Sequence, residues 1–225
     1  MSPPFIAGEY YRSILNFSNH FPKEKENMPH LMNNSALLIM DMQKSVVSQF
    51  VKDREALLPF QKAIETARSH GIPVIYVRVA FRPGYPEISS HNKMFGGIPG
   101  RAGSGAAAVA AMEAAVQIDE SLQPLPEEPI VTKVRVSAFA GSDLEVILRS
   151  RKIDTLILSG IATSGVVLST LREAADKDYA LTVLSDACID ADPEVHRVLT
   201  EKVFPLQAEV RSVDEWVDSL SGSTN

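Results

Sequence analysis

The sequence predicts an α/β fold: a doubly wound, three-layer sandwich around a mostly parallel, six-stranded sheet. Three observations predict it. Short apolar runs of strand length alternate with amphipathic stretches of helical period. Those runs are rich in Val, Ile and Leu and lack polar alternation, the pattern of strands covered on both faces. The chain has 225 residues, of which 45% are hydrophobic, enough for one domain with a full core.

The elements follow in order. Residues 1–34 mix aromatic, Pro, Asn and charged residues without sustained periodicity and read as an appended N-terminal extension, flexible or draped on the surface. Packing on a neighbouring subunit or over the site is its functional alternative. The domain proper spans 35–225. A strand is expected over 36–41, an amphipathic helix over 54–70 ended by Gly71, and a second strand over 73–79. The Gly/Pro-rich passage over 80–105 is too long for a simple connection, and a loop of that length in a compact domain is usually functional or disordered. An Ala-rich helix over 106–116, a third strand over 130–133 and a helix over 142–151, with Gly141 or Ser142 near its cap, come next. The pattern then repeats as strand 154–159, helix 164–178, strand 180–185, helix 193–203, strand 207–211 and a terminal helix over 213–220. Alternation of this kind gives parallel strands with helices on both faces, a Rossmann-like arrangement.

Composition excludes several partners. A net charge of −6 leaves no basic footprint for nucleic acid. No apolar stretch approaches the roughly 20 residues that span a bilayer, so no membrane partner is expected. The single cysteine, Cys188, rules out an intramolecular disulfide framework and fits a reducing compartment. Residues 1–34 lack the apolar core of a secretory signal, so a cytoplasmic location is expected, with export by a route that needs no signal peptide left open.

Three strand ends carry groups that burial alone does not select. Asp41 follows Leu37-Leu38-Ile39-Met40, Lys133 follows Ile130-Val131-Thr132, and a small-residue turn from Gly160 to Val166 follows the fourth strand. On parallel strands all three meet at one rim, where a carboxylate, an ammonium and backbone amides converge on a pocket. Taken singly, Asp41 reads as a cap or turn residue, Lys133 as a solvated strand end, and the turn as tight strand–helix packing.

In these features the chain resembles the isochorismatase-like hydrolase superfamily, which includes nicotinamidases and N-carbamoyl amidohydrolases. The resemblance covers about 35–220 and rests on Leu37-Leu38-Ile39-Met40-Asp41-Met42-Gln43, Lys133 with Ser137-Ala138-Phe139, Gly160-Ile161-Ala162-Thr163, and Thr170-Leu171-Arg172-Glu173-Ala174 with Asp186-Ala187-Cys188. It implies Asp41 and Lys133 as catalytic groups, a cis peptide between Ile161 and Ala162, and a homo-oligomer. The departure is Val166, which stands where the amidase members carry a cysteine nucleophile. Cys188, after the next strand, reads as a buried structural residue. No second His accompanies His91 in the manner of the metal-binding nicotinamidases, and neither metal nor cofactor is expected.

The resemblance therefore points to the branch that works without cysteine, the isochorismatases, which cleave the enolpyruvyl vinyl ether of isochorismate and release pyruvate. That chemistry needs a general acid and no covalent nucleophile. Asp41 fills this role if an apolar wall including Val166 and Phe50 raises its pKa against the opposing pull of Lys133. Substrate contacts are expected from Gln43, Phe50, Arg78, Phe81, Asn92, Phe95, Ala162, Gly165 and Val166, with Arg82 and Lys93 adding charge to the long loop. Asp186, Asp190 and His196 read as caps and supporting groups. Two alternatives stand beside this reading: hydrolysis of another small amide or carboxylate by water that Asp41 activates, and a metabolite-binding pseudoenzyme.

Overall fold

The computed structural model describes residues 34–103 and 105–221. Six strands, β1 (Ser35–Met40), β2 (Val74–Val79), β3 (Ile130–Lys133), β4 (Thr155–Ile161), β5 (Ala180–Ile189) and β6 (Glu209–Arg211), form one sheet in the order β3-β2-β1-β4-β5-β6. All neighbouring pairs are parallel. From β1 the chain winds outward through β2 to β3, and from β4 it winds the other way through β5 to β6. The reversal lies between β1 and β4, and in such sheets ligands bind at the carboxyl ends beside it.

The helices are α1 (Lys44–Phe50), α2 (Leu58–Ser69), α3 (Ile98–Arg101), α4 (Ala106–Ala115), α5 (Leu144–Ser150), α6 (Leu168–Ala175), α7 (Pro193–Val198) and α8 (Val213–Ser221). Two apolar clusters sandwich the sheet. One joins Leu38, Met40, Val77 and Val183 to Leu144 and Leu148 of α5 and to Leu171 and Ala174 of α6. The other joins Leu37, Ile39, Tyr76 and Leu184 to Phe60 and Ile64 of α2 and to Trp216 and Leu220 of α8. Alternate residues of each central strand feed opposite clusters, as the pleat requires. This is why β1 is buried along its whole length.

Several elements depart from the sequence expectation. Strands β4 and β5 run on to Ile161 and Ile189, because after a register shift between Leu158 and Gly160 they pair again as Gly160 with Cys188 and Ile161 with Ile189. Gly160, Ser185 and Asp186 hide that continuation in the sequence. Helix α1 was not expected; of its seven residues only Val47 is buried, so it carries little periodic signal. The expected helix over 164–178 opens with a π-helical turn over Thr163–Val167. The one over 193–203 ends in another over Leu199–Val203, followed by a 3-10 turn that contains Pro205. The extension over 1–34 lies outside the described residues except for Asn34, whose carbonyl accepts from Asp154 N at 3.0 Å. No helix among the described residues is long and apolar enough to cross a membrane.

Candidate active site

Because β1 is central and apolar from Ala36 through Met40, the next polar residue arrives at the carboxyl edge of the sheet. Asp41 takes a φ of 56°, a left-handed conformation that Asp tolerates better than most residues, and its amide donates to Val77 O at 2.8 Å. Lys133 ends β3, two strands away. Its aliphatic stem spans the intervening β2, and Nζ donates to Asp41 Oδ2 and to Arg135 O, each at 2.9 Å. The ammonium thus spends two of its three N–H groups on the protein. The pair is nearly closed off: Asp41 is 8% exposed and Lys133 1%.

Electrostatics at Asp41 set burial against the ammonium. Desolvation raises its pKa from the ordinary 3.8 to about 6, outweighing the charge and hydrogen bond of Lys133. Two units correspond to about 3 kcal/mol in favour of the neutral form. The other oxygen, Oδ1, is buried without a hydrogen-bond partner, and it is where a proton on this acid would sit free of Lys133.

The carboxyl end of β4 abuts the same point of β1. Gly160 is the register partner of Met40, and a Cβ there would lie 2.4 Å from Met40 O. Only glycine fits. The next peptide, Ile161–Ala162, is cis. Beyond it Ser164 N donates to Asp190 Oδ2 at 2.7 Å, and the amides of Gly165 and Val167 both donate to Ala162 O, at 3.1 and 3.3 Å. The turn is therefore not the open row of amides expected from the sequence, because those of Ser164 and Gly165 are engaged within the protein. Val166 is 2% exposed and belongs to the apolar cluster that contains Met40. Cys188 lies in that cluster too, 5% exposed, its thiol pushed up to about 12 by desolvation.

The segment that carries Lys133 is anchored in turn. Ala138 N donates to Thr170 Oγ1 at 2.9 Å, Ser137 Oγ to Glu173 Oε2 at 2.5 Å, and Arg135 Nη2 to Glu87 O at 2.8 Å. Sequence reasoning missed Thr170 and Arg135. Thr170 carried a signal, a hydroxyl on the apolar face of an amphipathic helix, which needs a partner when buried; Arg135 carried none.

The expected substrate contacts fare unevenly. Gln43 is 1% exposed, and both ends of its amide are taken, Nε2 donating to Val79 O at 3.0 Å and Oε1 accepting from Val79 N at 2.8 Å, so it pins β1 to β2 instead of facing a ligand. Arg78 pairs in register with Thr132 and bonds its hydroxyl, which puts it on the sheet face opposite Val79 and Lys133. Asn92 uses its side-chain oxygen on the amides of Met94 and Phe95, closing a local turn. Phe95 is buried and meets Phe81 edge to face at 5.4 Å. Phe50 and Ala162 pack against the second apolar cluster. Three surface clefts, one around Tyr85, Ile98 and Met112, one around Leu58 and Lys62, and one around His196 and Glu201, are lined by neither Asp41 nor Lys133. Among the described residues no group of three or more His, Cys, Asp or Glu is placed to hold a metal ion.

Comparison with known proteins gives the family and the fold. The profile of the family described as Isochorismatase domain matches residues 35–215. An uncharacterized isochorismatase family protein, YwoC of Bacillus subtilis, is 30% identical over an alignment covering 83% of this chain and 94% of that protein. The ureidoacrylate amidohydrolase RutB of Pseudomonas syringae is 29% identical, covering 90% of this chain and 87% of its own. Among solved structures, a cysteine hydrolase from Pseudomonas syringae pv. phaseolicola superposes with a TM-score of 0.71 at 25% identity, over 85% of this chain and 94% of that one.

Proposed function

The chain belongs to the isochorismatase family and is a hydrolase, and from that premise we propose that it cleaves an enolpyruvyl vinyl ether of the isochorismate type without a covalent intermediate, with Asp41 as general acid. One observation carries the reading. Asp41 is buried, raised to about 6, held through one oxygen by Lys133, and free at the other. A carboxyl in that state can donate a proton near neutrality. The chain's single thiol, with a pKa pushed up to about 12, is too protonated to serve as the nucleophile of an amidase.

The steps follow from these groups. Oδ1 of Asp41 delivers its proton to the terminal vinyl carbon, forming a C–H bond and leaving an oxocarbenium ion. The ionised carboxylate beside that cation stabilises it, and the remaining N–H of Lys133 orients a substrate oxygen. Water adds to the cationic carbon and gives a proton back to the Asp41 carboxylate, leaving a hemiketal; this collapses as the ether C–O bond breaks, its hydroxyl proton passing to the departing oxygen, into pyruvate and the ring alcohol. Catalysis by a positioned acid supplies about 10²–10⁴-fold, so orientation of the substrate against Asp41 and Lys133 supplies the rest.

A second reading draws on RutB, named as an amidohydrolase: hydrolysis of a small amide by water that ionised Asp41 activates. The two differ in the sign of their pH dependence. An acid with a pKa of about 6 gives kcat/KM that is level below that pH and falls about tenfold per unit above it; a base of the same pKa gives activity that rises through it. The test is pyruvate release from isochorismate across this range, run beside ureidoacrylate hydrolysis, with and without iodoacetamide. Pyruvate release that declines above about pH 6 and ignores the alkylating agent is the expected result. Ureidoacrylate turnover that rises through that pH, with no pyruvate from isochorismate, would overturn it.

A further inference from the structure

The turn after β4 is fastened to the end of β5 and to α7. Thr163, which follows the cis peptide by one residue, is fully buried, and its Oγ1 shares a hydrogen bond of 2.9 Å with Nδ1 of His196. Burial lowers the imidazole's pKa from its ordinary value, against the opposing charge of Asp190. Next along the turn, Ser164 N donates to Asp190 Oδ2 at 2.7 Å. His196 and Asp190 come from one structural unit, the end of β5 with α7. Asp192 caps α7 by accepting from Glu194 N at 2.9 Å, and Thr200 Oγ1 donates to His196 O at 2.9 Å, so the imidazole projects from a braced helix.

A fully buried threonine hydroxyl commonly satisfies itself on its own helix. Here the bond crosses 33 residues of sequence to another element. The segment it restrains is the one whose position matters most to Asp41: Gly160, which opens it, is in register with Met40, and Val166, which closes it, shares an apolar cluster with Met40. A shift of the turn acts on Met40, which precedes Asp41, through both Val166 and Gly160. We propose that His196 is a positioning residue that, through the hydroxyl of Thr163 and with Asp190 as a second tether, sets the turn over 162–166 against Asp41. The inference rests on the assignment of Asp41 as the reacting group. In this role His196 acts through Thr163 and not on the reacting atoms.

The experiment compares wild type, His196→Ala, His196→Asn, Thr163→Val and the Thr163→Val/His196→Ala double variant, with Asp41→Asn as reference. Losing the tether by His196→Ala is expected to lower kcat about tenfold while KM stays within about twofold, since misplacement of the turn acts on the chemistry more than on binding. Asparagine places an amide where Nδ1 stood, and His196→Asn is expected to recover activity to within about threefold of wild type. Because both residues act through one bond, the double variant should be no worse than the poorer single one. Hydrogen exchange supplies a readout independent of substrate: amides over 162–168 should exchange at least about tenfold faster in His196→Ala, with β1 and β2 unchanged, and return toward wild type in His196→Asn.

Unchanged kcat and unchanged exchange in His196→Ala would overturn the proposal. So would losses in the two single variants that multiply in the double, or a His196→Asn variant as poor as His196→Ala. Turnover that survives Asp41→Asn would instead sink the catalytic assignment, and the exchange data would still decide whether His196 holds the turn.

Discussion

The rim that holds Asp41 and the passage over 80–103 both start from the carboxyl edge of the sheet, yet they are bonded in opposite ways. On the rim, contacts join residues far apart in sequence: Asp41 N to Val77 O, Lys133 Nζ to Asp41 Oδ2, Ala138 N to Thr170 Oγ1, and Ser159 Oγ to Leu38 O. Beyond Ala80, whose amide still donates to Lys133 O at 3.2 Å, the backbone bonds of the passage are successive turns, Tyr85 N to Arg82 O, Ile88 N to Tyr85 O, Asn92 N to Ser89 O and Gly96 N to Asn92 O. Its longer ties are few, chiefly Arg135 to Glu87 O and Tyr85 Oη to Met112 Sδ. Bonds of the first kind break only when the whole sheet opens, whereas those of the second can open one turn at a time. On the proposed reading of Asp41, the chemistry would sit in the part of the molecule that cannot adapt, and adaptation to a ligand would be left to the part that can.

If that division holds, the largest effect comes from the smallest change on the rim. Asp41→Asn keeps the side chain's size and leaves an oxygen for Lys133 but removes the transferable proton, and kcat should fall by about 10³-fold or more with little change in KM. The same variant alters stability with a defined sign. The folded protein holds the Asp41 proton up to about pH 6, and the unfolded chain releases it near 3.8. Between those values the folded state binds more protons, so this residue's contribution to stability falls as pH rises, by up to about 3 kcal/mol. Urea unfolding at several pH values should show wild type losing ground to Asp41→Asn between about pH 4 and 6 and running parallel above. A variant that gains nothing over this range would mean that Lys133 outweighs burial, and that the acid is ionised where it is needed protonated.

Gly160→Ala tests the rigidity of the rim without touching a reacting group. Its Cβ would sit 2.4 Å from Met40 O and 2.9 Å from Met40 Cβ, on a residue with φ of 153°, and both neighbours belong to a strand buried on each side. Neither can move without displacing Asp41. A loss of more than about 3 kcal/mol in unfolding free energy is expected, among the larger values for one added methyl group. A cost below about 1 kcal/mol would show that β1 and β4 can part at their carboxyl ends, and the contrast with the loop would lose its physical basis.

What the sequence disclosed divides along the same line. Parallel strands covered on both faces announce themselves as apolar runs, so the six strands, their alternation with helices, and the convergence of Asp41 and Lys133 were all legible from Leu37-Leu38-Ile39-Met40 and Ile130-Val131-Thr132. Less legible was where polar side chains spend their hydrogen bonds. Gln43 reads as a group poised over a site, but its amide completes the edge of β2 at Val79. Arg78 reads as a charge for a carboxylate, but the pleat turns it to the other face, a fact fixed by the register between β2 and β3, which the sequence does not print. The extension of β4 and β5 past Gly160 and Asp186 was hidden for a related reason: a register shift lets strands pair through residues that by composition end them.

The smallest of these effects belongs to the loop. Phe81 is half-exposed and lies edge-on to the buried ring of Phe95, the one aromatic pair within the passage among the described residues. Removing its ring deletes apolar surface from a segment whose tie to Lys133 is a backbone bond at its first residue, Ala80 N to Lys133 O at 3.2 Å. Phe81→Ala should therefore raise KM about tenfold and leave kcat within about threefold, the signature of lost binding that is equal in ground and transition states. Its unfolding midpoint should barely move, because the turns on either side of Phe81 are closed by their own backbone. If kcat fell instead by two orders of magnitude or so, approaching Asp41→Asn, the loop would have to be counted as part of the catalytic wall, since only a group that keeps water from Asp41 in the transition state can move kcat that far without supplying a proton.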